Sequence, residues 1–395
     1  MRDAGATWGT VAPSQRPGYR PDVEGLRGVA IALVVLYHFR LGHVLGGYVG
    51  VDVFFVISGF VITAMLLREQ DRASRISLIE FYARRVRRIL PVSTAVLILT
   101  LIATALLIPP DAVSTVATDG RSAALFFANI RLEQRTVDLF TTTGVRTPFG
   151  HYWSLSIEEQ FYFVWPTALL LIFGIASAAR RRAVLASALV AVIAASSTLS
   201  ILWTPIDRNA AFYSSFPRAG ELAVGALIAV ALPLAERIPP KVRSTLSWLG
   251  LAGIVACGEA LTDPRIYPGA LVLLPVGAAT LVIVGGTGAG RRGATAVLGS
   301  RPMVALGAIS YSLYLWHFPI ITFVEDRLHH VPDLGVRLLL VALSCAIAVV
   351  SYRWFEDPIR RSAALARRRG LTFALGAGLV AASVITSFVV EASAH

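Results

Sequence analysis

Long apolar stretches alternate with short polar segments along almost the whole chain. A transmembrane helix needs about 20 mostly apolar residues. By this criterion the pattern predicts eleven membrane spans, or ten if the short first one does not cross. The predicted spans cover residues 26–41, 49–67, 91–109, 151–173, 183–203, 212–234, 246–262, 268–287, 303–324, 335–355 and 371–390. The pattern therefore predicts an all-α fold, namely a polytopic helix bundle within a membrane.

The segments between the predicted spans are short, so no soluble domain is expected on either side of the membrane. The chain divides into a cytoplasmic tail (1–25), a transmembrane domain (26–390) and a short external tail (391–395). The stretch 112–130 contains charged residues and is predicted to be an interfacial or re-entrant helix rather than another span.

Arginine and lysine are concentrated in alternate connecting segments. Because cytoplasmic loops of membrane proteins carry an excess of these residues, the N-terminus is predicted to lie inside. With eleven spans, the C-terminus would then lie outside. The inner segments would contain three dense groups of arginines: Arg84, Arg85, Arg87 and Arg88; Arg180 to Arg182; and Arg367 to Arg369.

The composition agrees with a membrane protein, since 55% of the residues are hydrophobic and only 15% are charged. The net charge of +12 could suggest nucleic acid as a partner. However, the basic residues lie in short loops between apolar runs, which favours membrane lipids and excludes nucleic acid. Cys257 and Cys345 both lie in apolar runs and predict neither a disulfide framework nor a metal site. No cleavable signal peptide is expected.

The first predicted span carries two ionisable residues, which are costly in a membrane and often functional. Eleven positions separate Arg27 from His38. This spacing is close to three helical turns, so both side chains should lie on one face, about 16 Å apart. An anion-binding guanidinium and a titratable base would then line one wall. On spacing alone, the alternative is equally good: Arg27 snorkels to lipid headgroups and His38 merely bonds a neighbour.

The start of the second span and the loop before the third carry further charged groups. Asp52 is near enough in sequence to pair with His38 and orient its imidazole, or else it caps the second span's N-terminus. The four arginines at 84–88 directly precede Pro91, which suits the first turn of a helix. They could bind phosphates. Plain anchoring at the inner face explains them better from composition alone.

In the fourth predicted span, Glu158, Tyr162 and Trp165 are spaced so that they share one helix face. An aromatic wall beside a carboxylate suits a sugar-like acceptor, although it also suits an interfacial aromatic belt. In the ninth span, His317 stands two positions before Pro319. That proline should kink the helix and free a backbone carbonyl.

Taken together, these segments resemble the acyltransferase type 3 family of membrane O-acyltransferases. The resemblance extends over residues 20–361, nearly the whole chain. The matching motifs, in order, are Arg27 with His38; Gly50-Val51-Asp52 with Ser58-Gly59-Phe60; Arg84-Arg85 with Arg88 and Pro91; Trp153-Ser154-Leu155 with Glu158; Tyr311 to His317; and Phe355-Glu356 with Pro358.

The resemblance implies a multi-pass enzyme of the bacterial plasma (inner) membrane. Its donor co-substrate would be cytoplasmic acyl-CoA, foremost acetyl-CoA, and no metal would be needed. Its acceptor would be a hydroxyl of a cell-envelope carbohydrate or of a glycosylated natural product. Some family members carry an external esterase-like domain, which this sequence is not expected to include. A separate periplasmic or extracellular partner could then complete the transfer.

The resemblance and the residue pattern together suggest roles for ten residues. His38 would act as general base or carry the acyl group briefly, and Asp52 or Glu158 would orient its imidazole. Arg27, Arg85 and Arg88 would bind the donor. The acceptor would be bound by Trp153, Tyr162, Tyr311 and His317. The competing hypothesis is a secondary transporter that uses the same ionisable residues, although no internal repeat supports it.

Overall fold

The computed structural model describes residues 18–135, 147–290 and 292–393, and these residues form helices and connecting turns without any strand. The helices of the first half are α1 (Pro21–His38), α2 (Gly50–Ala73), α3 (Leu78–Leu107), α4 (Pro110–Ala124), α5 (Ala128–Gln134), α6 (Tyr152–Ile175), α7 (Arg181–Trp203), α8 (Arg208–Tyr213) and α9 (Ser215–Ala235). Those of the second half are α10 (Pro240–Ala260), α11 (Leu273–Gly285), α12 (Thr295–Leu298), α13 (Arg301–Leu328), α14 (Leu334–Ser351), α15 (Asp357–Arg361), α16 (Ala363–Arg367) and α17 (Arg369–Ala392).

Each of the eleven predicted spans contains a helix. Among the described residues, seven helical stretches are long and apolar enough to cross a membrane: Gly47–Ala73, Leu78–Leu107, Arg181–Trp203, Arg208–Ala235, Arg301–Leu328, Leu334–Arg367 and Arg369–Ala392. The other four predicted spans correspond to α1, α6, α10 and the shorter apolar segment Gly269–Gly285. The protein is thus an all-helical, multi-pass membrane protein.

Several helix termini meet at one end of the bundle, called here the basic end. Just before α1, Arg20 donates a hydrogen bond to the Ile283 carbonyl near the end of α11, over 2.9 Å. At the start of α17, Arg369 forms an ion pair with Glu80 at the start of α3. The basic end therefore contains the starts of α1, α3 and α17 and the end of α11.

Other helix termini meet at the histidine end, where α1 finishes with His38. The loop after α1 binds the end of α10, since the Gly46 amide donates to the Gly258 carbonyl over 2.8 Å. Arg121 of α4 pairs with Glu391, the penultimate residue of α17, at 2.9 Å. Helices α1 and α17 thus run in the same direction, as the predicted alternation of inner and outer connections requires.

Helices α2 and α9 approach each other so closely that two glycines are needed at their crossing. A Cβ atom on Gly59 would lie 1.8 Å from the Leu222 carbonyl oxygen, and one on Gly225 would lie 2.0 Å from that of Val56. No larger residue fits at either position. This crossing holds the first turns of the two helices side by side, which positions part of the site described below.

One predicted boundary is wrong. Helix α3 begins at Leu78, not at Pro91, and Ser77 caps it by accepting a hydrogen bond from the Glu80 amide at 3.3 Å. A serine followed three positions later by glutamate is a strong start signal. The four arginines therefore lie on a helix rather than in a loop, and Pro91 is accommodated within it.

The stretch predicted as an interfacial or re-entrant helix forms two short helices, α4 and α5. Helix α4 packs against α17 and α3. Residues 136–146 of the same excursion lie outside the described residues.

Candidate active site

Three cavities follow one another through the bundle beside α1 and α2. The first, the vestibule, lies at the basic end and has a volume of about 360 Å³. The second, the central cavity, is about 70 Å³ and shares Arg27, Val61 and Arg88 with the vestibule. The third, the histidine chamber, is about 30 Å³ and shares Val51 and Tyr314 with the central cavity. Shared lining residues therefore connect the basic end to the histidine end.

Arginines dominate the vestibule. Arg27, Arg68 and Arg88 line it, and none of the three forms a hydrogen bond or an ion pair within the part of the chain that the structure describes. In contrast, Arg360 in the same wall is paired with Asp357 at 2.5 Å. Guanidinium groups that are held together without carboxylate partners form a site suited to phosphate or another anion.

The central cavity brings together six of the residues singled out from the sequence, since Arg85, Glu158, Tyr162 and Tyr311 line it together with Arg27 and Arg88. Glu158 accepts hydrogen bonds from the hydroxyls of Ser58 and Tyr162, so Glu158 and Tyr162 share one face of α6 as their spacing predicted. The guanidinium of Arg85 lies 5.4 Å from the centre of the Tyr162 ring. Tyr311 lines the opposite wall and donates to the Ile89 carbonyl at 2.9 Å. The wall of this cavity is thus both aromatic and charged.

A pair of imidazoles defines the end of the path. Nδ1 of His38 lies 3.0 Å from Nε2 of His317. Nδ1 of His317 in turn lies 3.0 Å from the Leu313 carbonyl oxygen, which can only accept a hydrogen bond. In a neutral His317, Nδ1 therefore carries the proton, and Nε2 accepts a hydrogen bond from Nδ1 of His38. A neutral His38 then has its proton on Nδ1 and its free lone pair on Nε2.

The predicted partner of His38 is therefore wrong. Asp52 is completely buried and binds Arg218 of α9 at 2.5 Å and the hydroxyl of Tyr267. A buried carboxylate requires a charged or hydrogen-bonded partner, and Arg218 supplies a stronger one than an imidazole. Glu158 is likewise bound to Ser58 and Tyr162 in the central cavity rather than to His38. Asp52 also does not cap α2, which has no side-chain cap.

Aromatic rings enclose the buried Arg218. Its guanidinium carbon lies 5.5 Å from the ring centre of Trp153 and 5.6 Å from those of Phe55 and Phe212. Trp153, predicted to bind the acceptor, also lines the histidine chamber and packs against Phe212 with ring centres 4.5 Å apart. The chamber therefore has an aromatic wall held in place by the buried ion pair.

Three residues of this site were not predicted from the sequence as site residues: His151, Arg218 and Tyr267. His151 immediately precedes α6 and lines the histidine chamber, with its ring centre 5.9 Å from that of His317. Its place two positions before Trp153 is the signal that could have identified it. Arg218 is an ionisable residue inside a predicted span, which is also a signal. Tyr267 gave none.

No group of His, Cys, Asp and Glu residues in the described ranges has the geometry of a metal site. The Cys257 and Cys345 thiols are both free.

The chain belongs to the acyltransferase type 3 family. The family model described as an acyltransferase domain matches residues 20–353, which confirms the resemblance seen in the motifs. The class of the protein is therefore that of a membrane O-acyltransferase, and the placement of the family's motifs around a row of adjacent cavities agrees with this class.

Curated relatives are similar over most of this chain. YrhL of Bacillus subtilis, a proposed peptidoglycan O-acetyltransferase, is 31% identical over 363 residues, which are 88% of this chain and 56% of the relative. The O-acetyltransferase OatA of Staphylococcus aureus is 30% identical over 355 residues, 87% of this chain and 58% of the relative. The peptidoglycan O-acetyltransferase OatA of Listeria monocytogenes is 29% identical over 359 residues, which are 87% of this chain and 56% of the relative. The chain thus spans a little more than half the length of these relatives. No solved structure matches it.

Proposed function

We propose that the protein transfers a short acyl group, foremost acetyl, from acyl-CoA to a hydroxyl of a cell-envelope carbohydrate. One observation carries the proposal: a row of three adjacent cavities leads from arginines without carboxylate partners to a pair of hydrogen-bonded imidazoles. The first group suits the phosphates of a nucleotide donor, and the second suits proton or acyl transfer.

The donor would enter at the basic end, which is predicted to face the cytoplasm because of its arginines. Arg27, Arg68 and Arg88 would bind its phosphates in the vestibule. Because an α-helix rises about 1.5 Å per residue, Arg27 and His38 are about 16 Å apart along α1. A nucleotide held by the arginines could therefore reach the histidines only through a long flexible arm. The pantetheine arm of CoA, which carries the thioester at its tip, has this form.

The reaction would take place at Nε2 of His38. A chain of hydrogen bonds, called here the relay, runs from His38 through His317 to the Leu313 carbonyl and keeps the lone pair of His38 on Nε2. Nε2 can therefore remove a proton or attack the thioester carbon. His317 can accept the proton of His38 Nδ1 when the His38 ring becomes positively charged. Asp52 would act indirectly, by holding Arg218 and hence the aromatic wall of the chamber.

The size of the histidine chamber supports a short acyl group. The chamber has a volume of only about 30 Å³, against about 360 Å³ for the vestibule, so it offers little room beside the two imidazoles. An acetyl group is small, whereas a long acyl chain would require the walls to move. Among straight-chain donors, turnover should therefore fall as the acyl chain lengthens beyond acetyl.

The acceptor proposal rests on the relatives and on the aromatic wall. Two of the three relatives described above are named for peptidoglycan, which is an envelope carbohydrate. Trp153 and Phe212 provide the flat apolar surface that suits a sugar ring. A glycosylated natural product has the same chemistry and remains the second acceptor to be tested. A separate external acyl-transfer partner stays part of the proposal.

The test is direct transfer by the purified protein in lipid nanodiscs. Acetyl-CoA with a labelled acetyl group is supplied with soluble peptidoglycan fragments, and in a second reaction with a glycoside. Free CoA thiol and labelled product are measured by a thiol reagent and by mass spectrometry. We expect equal amounts of both. A transporter would leave the thioester intact, and this outcome would refute the proposal.

A further inference from the structure

Besides His38, a second imidazole lines the histidine chamber, and it takes no part in the hydrogen-bonded chain from His38 through His317 to the Leu313 carbonyl. His151 is buried, with 2% of its surface exposed, and neither ring nitrogen makes a hydrogen bond with the residues that the structure describes. Its ring centre lies 5.0 Å from that of Phe318 and 5.5 Å from that of Tyr314. Buried polar groups are nearly always hydrogen-bonded, so a buried imidazole without a partner that faces a cavity indicates a ligand.

The main chain of His151 is held by hydrogen bonds, although its ring makes none with the described residues. The hydroxyl of Tyr314 donates to the His151 carbonyl at 2.9 Å, and Ser154 donates to the same carbonyl at 3.3 Å. The hydrogen-bonded backbone at the start of α6 therefore positions the His151 ring in the wall of the chamber. Such anchoring is expected of a group that must meet a reacting atom in a defined position.

Pro319 determines which carbonyl faces the His151 ring. A proline within a helix has no amide hydrogen and leaves the carbonyl four residues earlier without its helical partner. That carbonyl belongs to Leu315, and it interacts with the His151 ring, although outside the geometry of a full hydrogen bond. Because a carbonyl can only accept, it favours a proton on the nearer nitrogen, and the other nitrogen of a neutral ring carries the lone pair.

We propose that His151 is the base that takes the proton of the acceptor hydroxyl, while His38 receives the acyl group. The proposal rests on the acyl transfer given in the proposed function. It assigns acceptance of the acyl group to one imidazole of the chamber and removal of the acceptor's proton to another. His38 is held by its relay to His317, whereas His151 has no hydrogen-bonded partner and is available to an incoming hydroxyl.

The two steps balance. In the first, Nε2 of His38 forms a bond to the acyl carbon, the carbon–sulfur bond breaks, and the electron pair leaves on the CoA thiolate. The Nδ1 proton of His38 moves to Nε2 of His317. In the second, the acceptor oxygen forms a bond to the acyl carbon as its proton passes to His151. The carbon–nitrogen bond to His38 breaks, and the proton on His317 returns to His38. His151 then releases its proton to water, and the thiolate takes one from water.

The experiment separates the two steps in the same nanodisc preparation. Exchange of isotopically labelled CoA into unlabelled acetyl-CoA reports the first step and needs no acceptor. Transfer of acetyl to soluble peptidoglycan fragments reports both steps. The variants are His151→Gln, which keeps a polar side chain of similar size, and His38→Gln. His43→Gln is the control, because His43 is an exposed histidine in the loop after α1.

We expect His151→Gln to lower transfer by about 10²–10⁴-fold, the range for loss of a general base, while exchange falls at most a few-fold. His38→Gln should lose both exchange and transfer, and His43→Gln should lose neither. Free imidazole should partly restore transfer by His151→Gly, which a merely structural role would not allow.

Three results would overturn the inference: normal transfer by His151→Gln, equal loss of exchange and transfer in that variant, or absence of exchange in the unaltered protein. Exchange without any transfer in the unaltered protein has a different meaning. It would refute the acceptor class given in the proposed function, and the same variants would then be compared with a glycoside acceptor.

Discussion

Nδ1 of His38 and Nε2 of His317 lie 3.0 Å apart, although 279 positions separate the two residues in sequence. The contact joins the end of α1 to the middle of α13 and continues to the Leu313 carbonyl. These contacts determine which nitrogen of each neutral ring carries a proton. They leave the lone pair of His38 on Nε2, which is therefore its reactive nitrogen.

His38→Ala should therefore lower transfer by about 10²–10⁴-fold, because the reaction loses its base or acyl carrier. His38 is only partly buried, so the variant should remain folded. Turnover is measured with acetyl-CoA and acceptor, and folding is checked by size-exclusion chromatography in detergent.

The two substitutions of His317 provide the control for this assignment. His317→Gln should retain more activity than His317→Ala, because an amide oxygen can still accept the proton of His38 Nδ1. Near-normal turnover by His38→Ala together with complete loss in His317→Ala would instead assign the chemistry to α13.

Arg85→Ala and Arg88→Ala should each weaken acyl-CoA binding by about 10- to 100-fold, since a hydrogen bond to a charged group contributes about 1.5–3 kcal/mol. Both residues line the central cavity, and Arg88 also lines the vestibule. Arg180→Ala is the matched control, because Arg180 is exposed at the start of α7. Binding is measured by isothermal titration at two salt concentrations. Equal small effects at all three positions would mean that the arginines only anchor the chain at the membrane surface.

Asp52→Ala should destabilise the protein by about 3–5 kcal/mol, because it leaves the buried Arg218 without its closest carboxylate. The triple variant Asp52→Leu/Arg218→Met/Glu221→Gln should be more stable than Asp52→Ala, since it removes all three buried charges. The free energy of unfolding is measured by titration with a denaturing detergent. If Asp52→Ala is as stable as the unaltered protein, Glu221, which lies 3.1 Å from Arg218, is the carboxylate that neutralises it.

Orientation can be tested with single cysteines in a variant that lacks Cys257 and Cys345. Arg265→Cys lies in an exposed turn between α10 and α11, at the histidine end, and should react with a membrane-impermeant maleimide in intact cells. Arg180→Cys, before α7, should react only after the cells are permeabilised. The reverse pattern of labelling would place the N-terminus outside.

The sequence predicts the local geometry of this site well. Arg27 and His38 line the same row of cavities because both belong to one helix, and Glu158 meets Tyr162 because they are four positions apart on another. These relations follow from helical periodicity alone.

The sequence does not predict which distant helices meet. Asp52 was expected to orient His38, which is near in sequence, yet its partners Arg218 and Tyr267 are 166 and 215 positions away. The crossing at Gly59 and Gly225 brings α2 against α9, and no periodicity encodes that contact. The sequence does not identify His151 as a site residue for the same reason. Its role depends on its proximity to His38 and His317, which belong to two other helices.

The separation of Arg27 from His38 has an electrical consequence. In the proposed reaction the CoA thiolate forms in the histidine chamber, where the carbon–sulfur bond breaks, and leaves through the basic end, whereas the acceptor's proton leaves at the histidine end. The two sites are about 16 Å apart, roughly half of a hydrocarbon core of about 30 Å. One charge moved across a full potential of 100 mV involves about 2.3 kcal/mol, so half of that depth involves about 1 kcal/mol. With the basic end inside, each turnover moves positive charge outwards, and an inside-negative voltage across sealed vesicles should slow the enzyme.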